Sequence, residues 1–236
     1  MTDRGVPSRF ESEPEPPEEL FTRIRAAIDS TPAARASTRL RVASAMAVVP
    51  LASLAVLLIA SQLFDRPALR ADIGAHSTSQ LLIELLLVVG LTFSATLVAG
   101  ARGAGGLGPG ATSLFLVALL VTPIYSMLTL ANAKAAGAGA VSLVELSPWG
   151  LRCLAIAAAV GLLALISFAA ALRRSVPVAS RLRGAALGAA AGAWAGLVVF
   201  FFCPAAEFRH LLVGHILPIA AFTLLGLAAI PRILRP

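Results

Sequence analysis

Residues 153–203 read CLAIAAAVGLLALISFAAALRRSVPVASRLRGAALGAAAGAWAGLVVFFFC. Two uncharged apolar runs, Leu154 to Leu172 and Gly184 to Cys203, flank an arginine-rich connector, Arg173 to Arg183. Each run supplies the roughly 20 apolar residues that a helix needs to cross a bilayer. So short a connector can only return the chain, which predicts two antiparallel neighbouring helices. Cys153 and Cys203 are the only cysteines, and each lies 25 residues from position 178 in the middle of the connector. The hairpin therefore brings both thiols to one depth at its open end.

The rest of the chain has the same character. Of 236 residues, 58% are hydrophobic and 13% charged, with a mean hydropathy of +0.88. Soluble domains are nearer one half and one quarter. This composition fits an integral membrane protein. In lipid the backbone must satisfy its own hydrogen bonds, which leaves helices or closed barrels. The apolar runs are continuous and show none of the alternation that barrel strands require. The predicted class is an all-α integral membrane protein with six transmembrane helices in three antiparallel hairpins. The runs fall at 42–64, 80–101, 110–133, 151–172, 183–203 and 211–230.

A short head, 1–41, precedes them and carries no signal-peptide pattern. Residues 1–17 are rich in Glu, Pro and Ser and are expected to be disordered. From 18 to 30, Leu20, Phe21, Ile24 and Ile28 recur at helical spacing, with Glu19, Arg23, Arg25 and Asp29 largely on other faces. That predicts one amphipathic helix, suited either to the bilayer surface or to docking a soluble partner.

The formal net charge of +7 does not point to nucleic acid, because the arginines cluster at the ends of the apolar runs. With the N-terminus inside, fourteen of the nineteen Lys and Arg residues fall on the cytoplasmic side and five outside. The positive-inside bias thus predicts both termini in the cytoplasm. Cys153 and Cys203 then lie at the outer face, the side on which disulfides persist in a bacterial-type inner membrane.

Gly184, Gly188, Gly192 and Gly196 form a small-residue stripe that permits close helix approach. Cys153, Ala157 and Gly161 form a matching stripe on the preceding helix, so the two faces are expected to pack together. Ionisable residues inside the runs are few. Glu84 and His215 enter from the same face and are expected to form a structural pair. A metal set drawn from Cys153, Cys203, His210, His215 and Glu84 is the weaker expectation, because residues five apart point to different sides of an α-helix. Gly103 to Gly110 lacks the Lys-Ser/Thr of a phosphate loop and reads as a turn.

Arg152-Cys153, Ala171-Leu172-Arg173-Arg174, Val176-Pro177, Arg183-Gly184-Ala185, Cys203-Pro204 and the closing Arg232-Ile233-Leu234-Arg235 together resemble the NrsF-type family of bacterial membrane anti-sigma factors. Membrane anti-sigma factors of the CarR kind are similar in outline. The resemblance implies a protein that sequesters an extracytoplasmic-function sigma factor at the inner membrane and releases it on a stress signal. It also implies that Cys153 and Cys203 sense that signal, through oxidation or a thiol-binding heavy metal. The sigma-factor contact would fall to Leu20, Phe21, Ile24 and Ile28. The head has no cysteine, which excludes a zinc-binding anti-sigma domain there.

Rival classes fit less well. A membrane thiol–disulfide oxidoreductase usually carries a Cys-x-x-Cys pair, whereas these cysteines are 50 residues apart. A small transporter predicts ionisable groups deep in several helices and an internal repeat, and neither is evident. Inert packing is the plainest reading of two buried thiols. No enzyme and no cofactor is expected. The predicted partners are the sigma factor and the bilayer.

Overall fold

Long apolar runs become helices because lipid offers backbone amides no partner but one another. The computed structural model describes residues 18–30, 34–64, 78–100, 110–135, 148–173, 179–203 and 208–233. The stretch 1–17, the glycine turn at 103–109 and the centre of the arginine connector, 174–178, lie outside these residues. So do the side chains of Ile24 and Ile28.

All regular structure among the described residues is helical. The elements are α1 (Glu18–Ser30), α2 (Ala34–Leu63), α3 (Thr78–Gly100), α4 (Ala111–Ala135), α5 (Pro148–Leu172), α6 (Ser180–Phe202), the short α7 (Phe208–Leu211), a π-helical turn (Leu212–Ile216) and α8 (Leu217–Ile233). Six helices are long and apolar enough to cross a membrane, the last being the continuous rod Phe208–Ile233. Helix α1 and the first residues of α2 belong to one unit, Met1–Ser37, and the remaining helices to a second, Thr38–Pro236. In α1, Thr22 donates its hydroxyl to the Glu18 carbonyl at 3.0 Å, and Leu20 and Phe21 are exposed.

The bundle is built around α6. Every residue from Arg183 to Phe202 except Phe201 is buried. The reason lies in its side chains. Glycine and alanine dominate Gly184 to Gly196, so the axis is thin enough for α3, α4, α5 and α8 to pack around it. The surrounding helices turn large apolar side chains outward instead, among them Leu51, Leu86, Met127 and Ile166. An outer surface so rich in exposed leucine and isoleucine is unfavourable in water and suited to lipid.

The glycine stripe does not face α5. A side chain at Gly184 or Gly188 would run into the carbonyls of Gly226 or Phe222 on α8. One at Gly192 would come within 2.6 Å of the Ile219 Cα, again on α8. At Gly196 the obstacle is the Tyr125 ring of α4, 2.6 Å away. Gly226 reciprocates from α8 against the Gly184 carbonyl. The expected apposition of two small faces between α5 and α6 is therefore replaced by a glycine seam between α6 and α8. Gly161 of α5 also points at α8, toward the Phe222 ring. Gly226 explains the difference: with small residues on both sides, α8 can approach the α6 backbone more closely than α5 can.

Three polar contacts tie α3 and α4 to this axis. Tyr125 donates its hydroxyl to the Gly196 carbonyl at 2.6 Å. Trp194 donates its indole N–H to Thr96 Oγ1 at 3.1 Å. Thr92 donates to the Ala193 carbonyl at 3.4 Å as well as to Val88 in its own helix at 2.8 Å. Each fixes the rotation of one helix about its axis, which apolar packing alone leaves loosely determined.

Candidate functional site

Helix α5 begins at Pro148 and carries Cys153 in its second turn. Helix α6 ends at Phe202, and Cys203 caps it with an extended backbone, φ −102° and ψ 117°. Its N–H still bonds the Val199 carbonyl at 2.8 Å. Pro204 supplies the cause of the stop, since a residue before proline is driven out of the helical region. The two cysteines thus meet at one end of the bundle. Both are buried and both are free thiols.

The following rod adds two imidazoles. Cys203 Sγ lies 2.9 Å from His210 Nε2. The His210 and His215 rings are 5.4 Å apart, centroid to centroid. One ligand atom from each of Cys153, Cys203, His210 and His215 lies within 4.8 Å of every other, and all four residues are buried. At these distances the group can share protons, close a disulfide or hold a cation.

Sequence reasoning set the histidines apart. On an α-helix, residues five apart differ by about 140° around the axis. Here residues Leu212–Ile216 form a π-helical turn. Its i→i+5 hydrogen bonds bring residues five apart onto nearly the same face. His215 is thereby rotated back over His210 and into the thiol group. The spacing of the two histidines was a visible signal; the widened turn was not, since no composition rule announces one.

Gly214 lets the elements of the site meet closely. A Cβ at Gly214 would come within 3.0 Å of the Cys153 Cβ and 3.3 Å of the Gly150 carbonyl. A Cβ at Gly150 would sit 3.9 Å from His210 Nδ1. The absence of a side chain at Gly214 lets the start of α5 lie directly against the π-turn, whereas a Cβ at Gly150 would make only ordinary contact.

The other sequence candidates lie elsewhere. Glu84 is outside the four-residue group and lines a small cavity with Val88, Tyr125, Leu128, Thr129 and Phe200. Gly184, Gly188 and Gly192 serve the seam with α8, and Gly196 the contact with Tyr125. Leu20 and Phe21 are on α1, exposed by 47% and 57%.

A family model described as NrsF, negative regulator of sigma F, matches residues 27–235, which include all six membrane-length helices and the four-residue site. Leu20, Phe21 and Ile24 precede the matched segment, and Ile28 falls within it. No curated protein and no solved structure matches the chain.

Proposed function

We infer, because this chain belongs to the NrsF family of negative regulators of sigma F, that it is a membrane-bound anti-sigma factor with its signal input at Cys153 and Cys203. It holds an extracytoplasmic-function sigma factor at the bacterial inner membrane and releases it when the thiols change state. The observation that carries the reading is the convergence of both cysteines on one buried site at one end of the bundle. Scattered, inert thiols have no reason to meet there.

The bias of Lys and Arg puts both termini in the cytoplasm and the thiols at the opposite, periplasmic side. Helix α1 then faces the compartment that contains the sigma factor. Leu20, Phe21, Ile24 and Ile28 enter an apolar groove on the sigma factor, in the helix-in-groove mode. The exposure of Leu20 and Phe21 supports this, since a helix without a partner gains nothing by presenting them to water.

The thiols act on the sigma factor through helix packing. Cys153 lies near the start of α5, Cys203 caps α6, and the histidines lie near the start of the rod that continues as α8. A change in their bonding alters how three helices meet, and α6 packs against α3, α4, α5 and α8. Two packings that differ in sigma-factor affinity need a shift of only about 1.4 kcal/mol for each tenfold change in binding.

Co-purification tests the reading. The full chain is co-expressed with a sigma factor encoded beside it, as wild type and as a Leu20→Asp, Phe21→Asp, Ile24→Asp variant. Wild type is expected to retain the sigma factor and the variant to lose it. Cys153→Ser and Cys203→Ser are expected to retain it under signals that release it from wild type. Failure of wild type to retain any sigma factor, oxidised or reduced, refutes the assignment.

A further inference from the structure

We propose that Cys153, Cys203, His210 and His215 are the four ligands of one closed tetrahedral metal site, selective for a d10 dication of the Zn2+ and Cd2+ class. The binding claim stands on these four side chains. Its role as the releasing signal rests on the anti-sigma reading above.

Ligand type comes first. Two thiolates and two imidazoles are a set that tetrahedral Zn2+ takes in structural sites, and that hard cations such as Mg2+ and Ca2+ decline. Size follows. Metal–sulfur bonds of about 2.3 Å and metal–nitrogen bonds of about 2.0–2.1 Å give tetrahedron edges of about 3.3–3.8 Å. The four donors lie within 4.8 Å of one another, and the Cys203–His210 separation is 2.9 Å. These values bracket the required edge, so modest side-chain adjustment closes the site.

Charge selects the oxidation state. Binding is an exchange in which the dication forms two metal–sulfur bonds, the two thiols release two protons to water, and no electron moves. The product, one M2+ with two thiolates and two neutral imidazoles, carries no net charge. All four ligands are at most 5% exposed. Burying a net charge at such a place is costly, whereas a neutral adduct avoids that cost. A monovalent ion would leave a buried negative charge, and a trivalent ion a buried positive one.

Two features make little sense as packing. The π-turn at Leu212–Ile216 departs from the favoured α geometry, and such turns gather at functional sites. Its effect here is to swing His215 onto the thiols. His210 Nδ1 is buried without a hydrogen-bond partner among the described residues, although buried polar atoms are normally partnered. The imidazole reaches Cys203 through Nε2, and its other nitrogen is left over.

The test uses the full chain, reduced and reconstituted in lipid nanodiscs, with Cd2+ as the probe and excess Mg2+ and Ca2+ present. The expected result is one Cd2+ per chain, two protons released per ion, and an X-ray absorption spectrum with two sulfur and two nitrogen ligands. His210→Ala and His215→Ala, checked for unchanged helix content by circular dichroism, are expected to weaken binding by more than the roughly 10–100-fold that follows loss of an outer-shell partner. Sulfur-only coordination of wild type, or histidine variants that bind as tightly as wild type, overturns the four-ligand site. The absorption spectrum needs no variant, so a misfolded mutant does not rescue the idea.

Sigma-factor retention is then measured with and without Cd2+. Stoichiometric binding without release leaves the site standing and refutes its role as the signal. Release by a thiol oxidant from a chain that binds no Cd2+ refutes the site and leaves the regulatory reading intact.

Discussion

Gly188→Ala adds one methyl group at the tightest point of the α6–α8 seam. Its carbon would meet the Phe222 carbonyl oxygen and lie 2.8 Å from the Phe222 carbonyl carbon and 2.9 Å from the Thr223 Cα. All of these are backbone atoms, so no rotamer change relieves the clash. Restoring ordinary carbon–carbon separations of about 3.5–4.0 Å moves α8 outward by on the order of 1 Å. A gap of that size forfeits about a quarter to a half of each dispersion contact along the seam. Forced overpacking of this kind costs about 1–3 kcal/mol, with the upper end expected where both sides are rigid. Alanine also favours a helix over glycine by up to about 1 kcal/mol, which masks part of the loss. Gly90→Ala provides the control, because a Cβ there meets nothing within 4 Å. The two variants share the propensity gain, so their difference isolates the seam. In reversible unfolding by denaturing detergent, Gly188→Ala is expected to fall below Gly90→Ala by about 1–3 kcal/mol. Equal stability of the two variants would refute the close α6–α8 contact.

Two further predictions concern the axis and the thiols. Tyr125→Phe removes the hydroxyl donated to the Gly196 carbonyl, and the same unfolding assay is expected to show a loss of about 0.6–1.7 kcal/mol, from the average to the largest value for interhelical hydrogen bonds in membranes; an unchanged value would mean that packing alone sets the rotation of α4. Diamide treatment of the reduced chain is expected to close an intramolecular Cys153–Cys203 disulfide, since the thiols share one buried site, and intact-mass spectrometry should record the loss of two hydrogens from wild type and from neither serine variant. Disulfide-linked dimers in place of this product would refute the intramolecular pairing.

Much of the architecture was legible in the sequence because hydropathy accumulates over whole helices. A run of 20 apolar residues identifies a membrane span whatever packs against it, so the all-α class and the six spans followed from local composition. The meeting of Cys153 and Cys203 was legible for a related reason. A short connector with a cysteine equally far along each arm is a statement about length, and helix rise per residue is nearly constant. The exposed apolar positions Leu20 and Phe21 were likewise visible as periodicity.

The remainder required the tertiary structure. A helix as uniformly small as Gly184 to Gly196 looks alike from several directions, so its sequence named no neighbour. Gly226, 38 residues further on than Gly188, decided that the seam forms with α8. The four-residue site depended on a finer choice still. His210 and His215 diverge on an α-helix and converge on a π-helical turn, and the difference is one residue of hydrogen-bond register. Local propensity does not fix that register here. It becomes visible only in the assembled bundle, where His215 turns to meet the two cysteines.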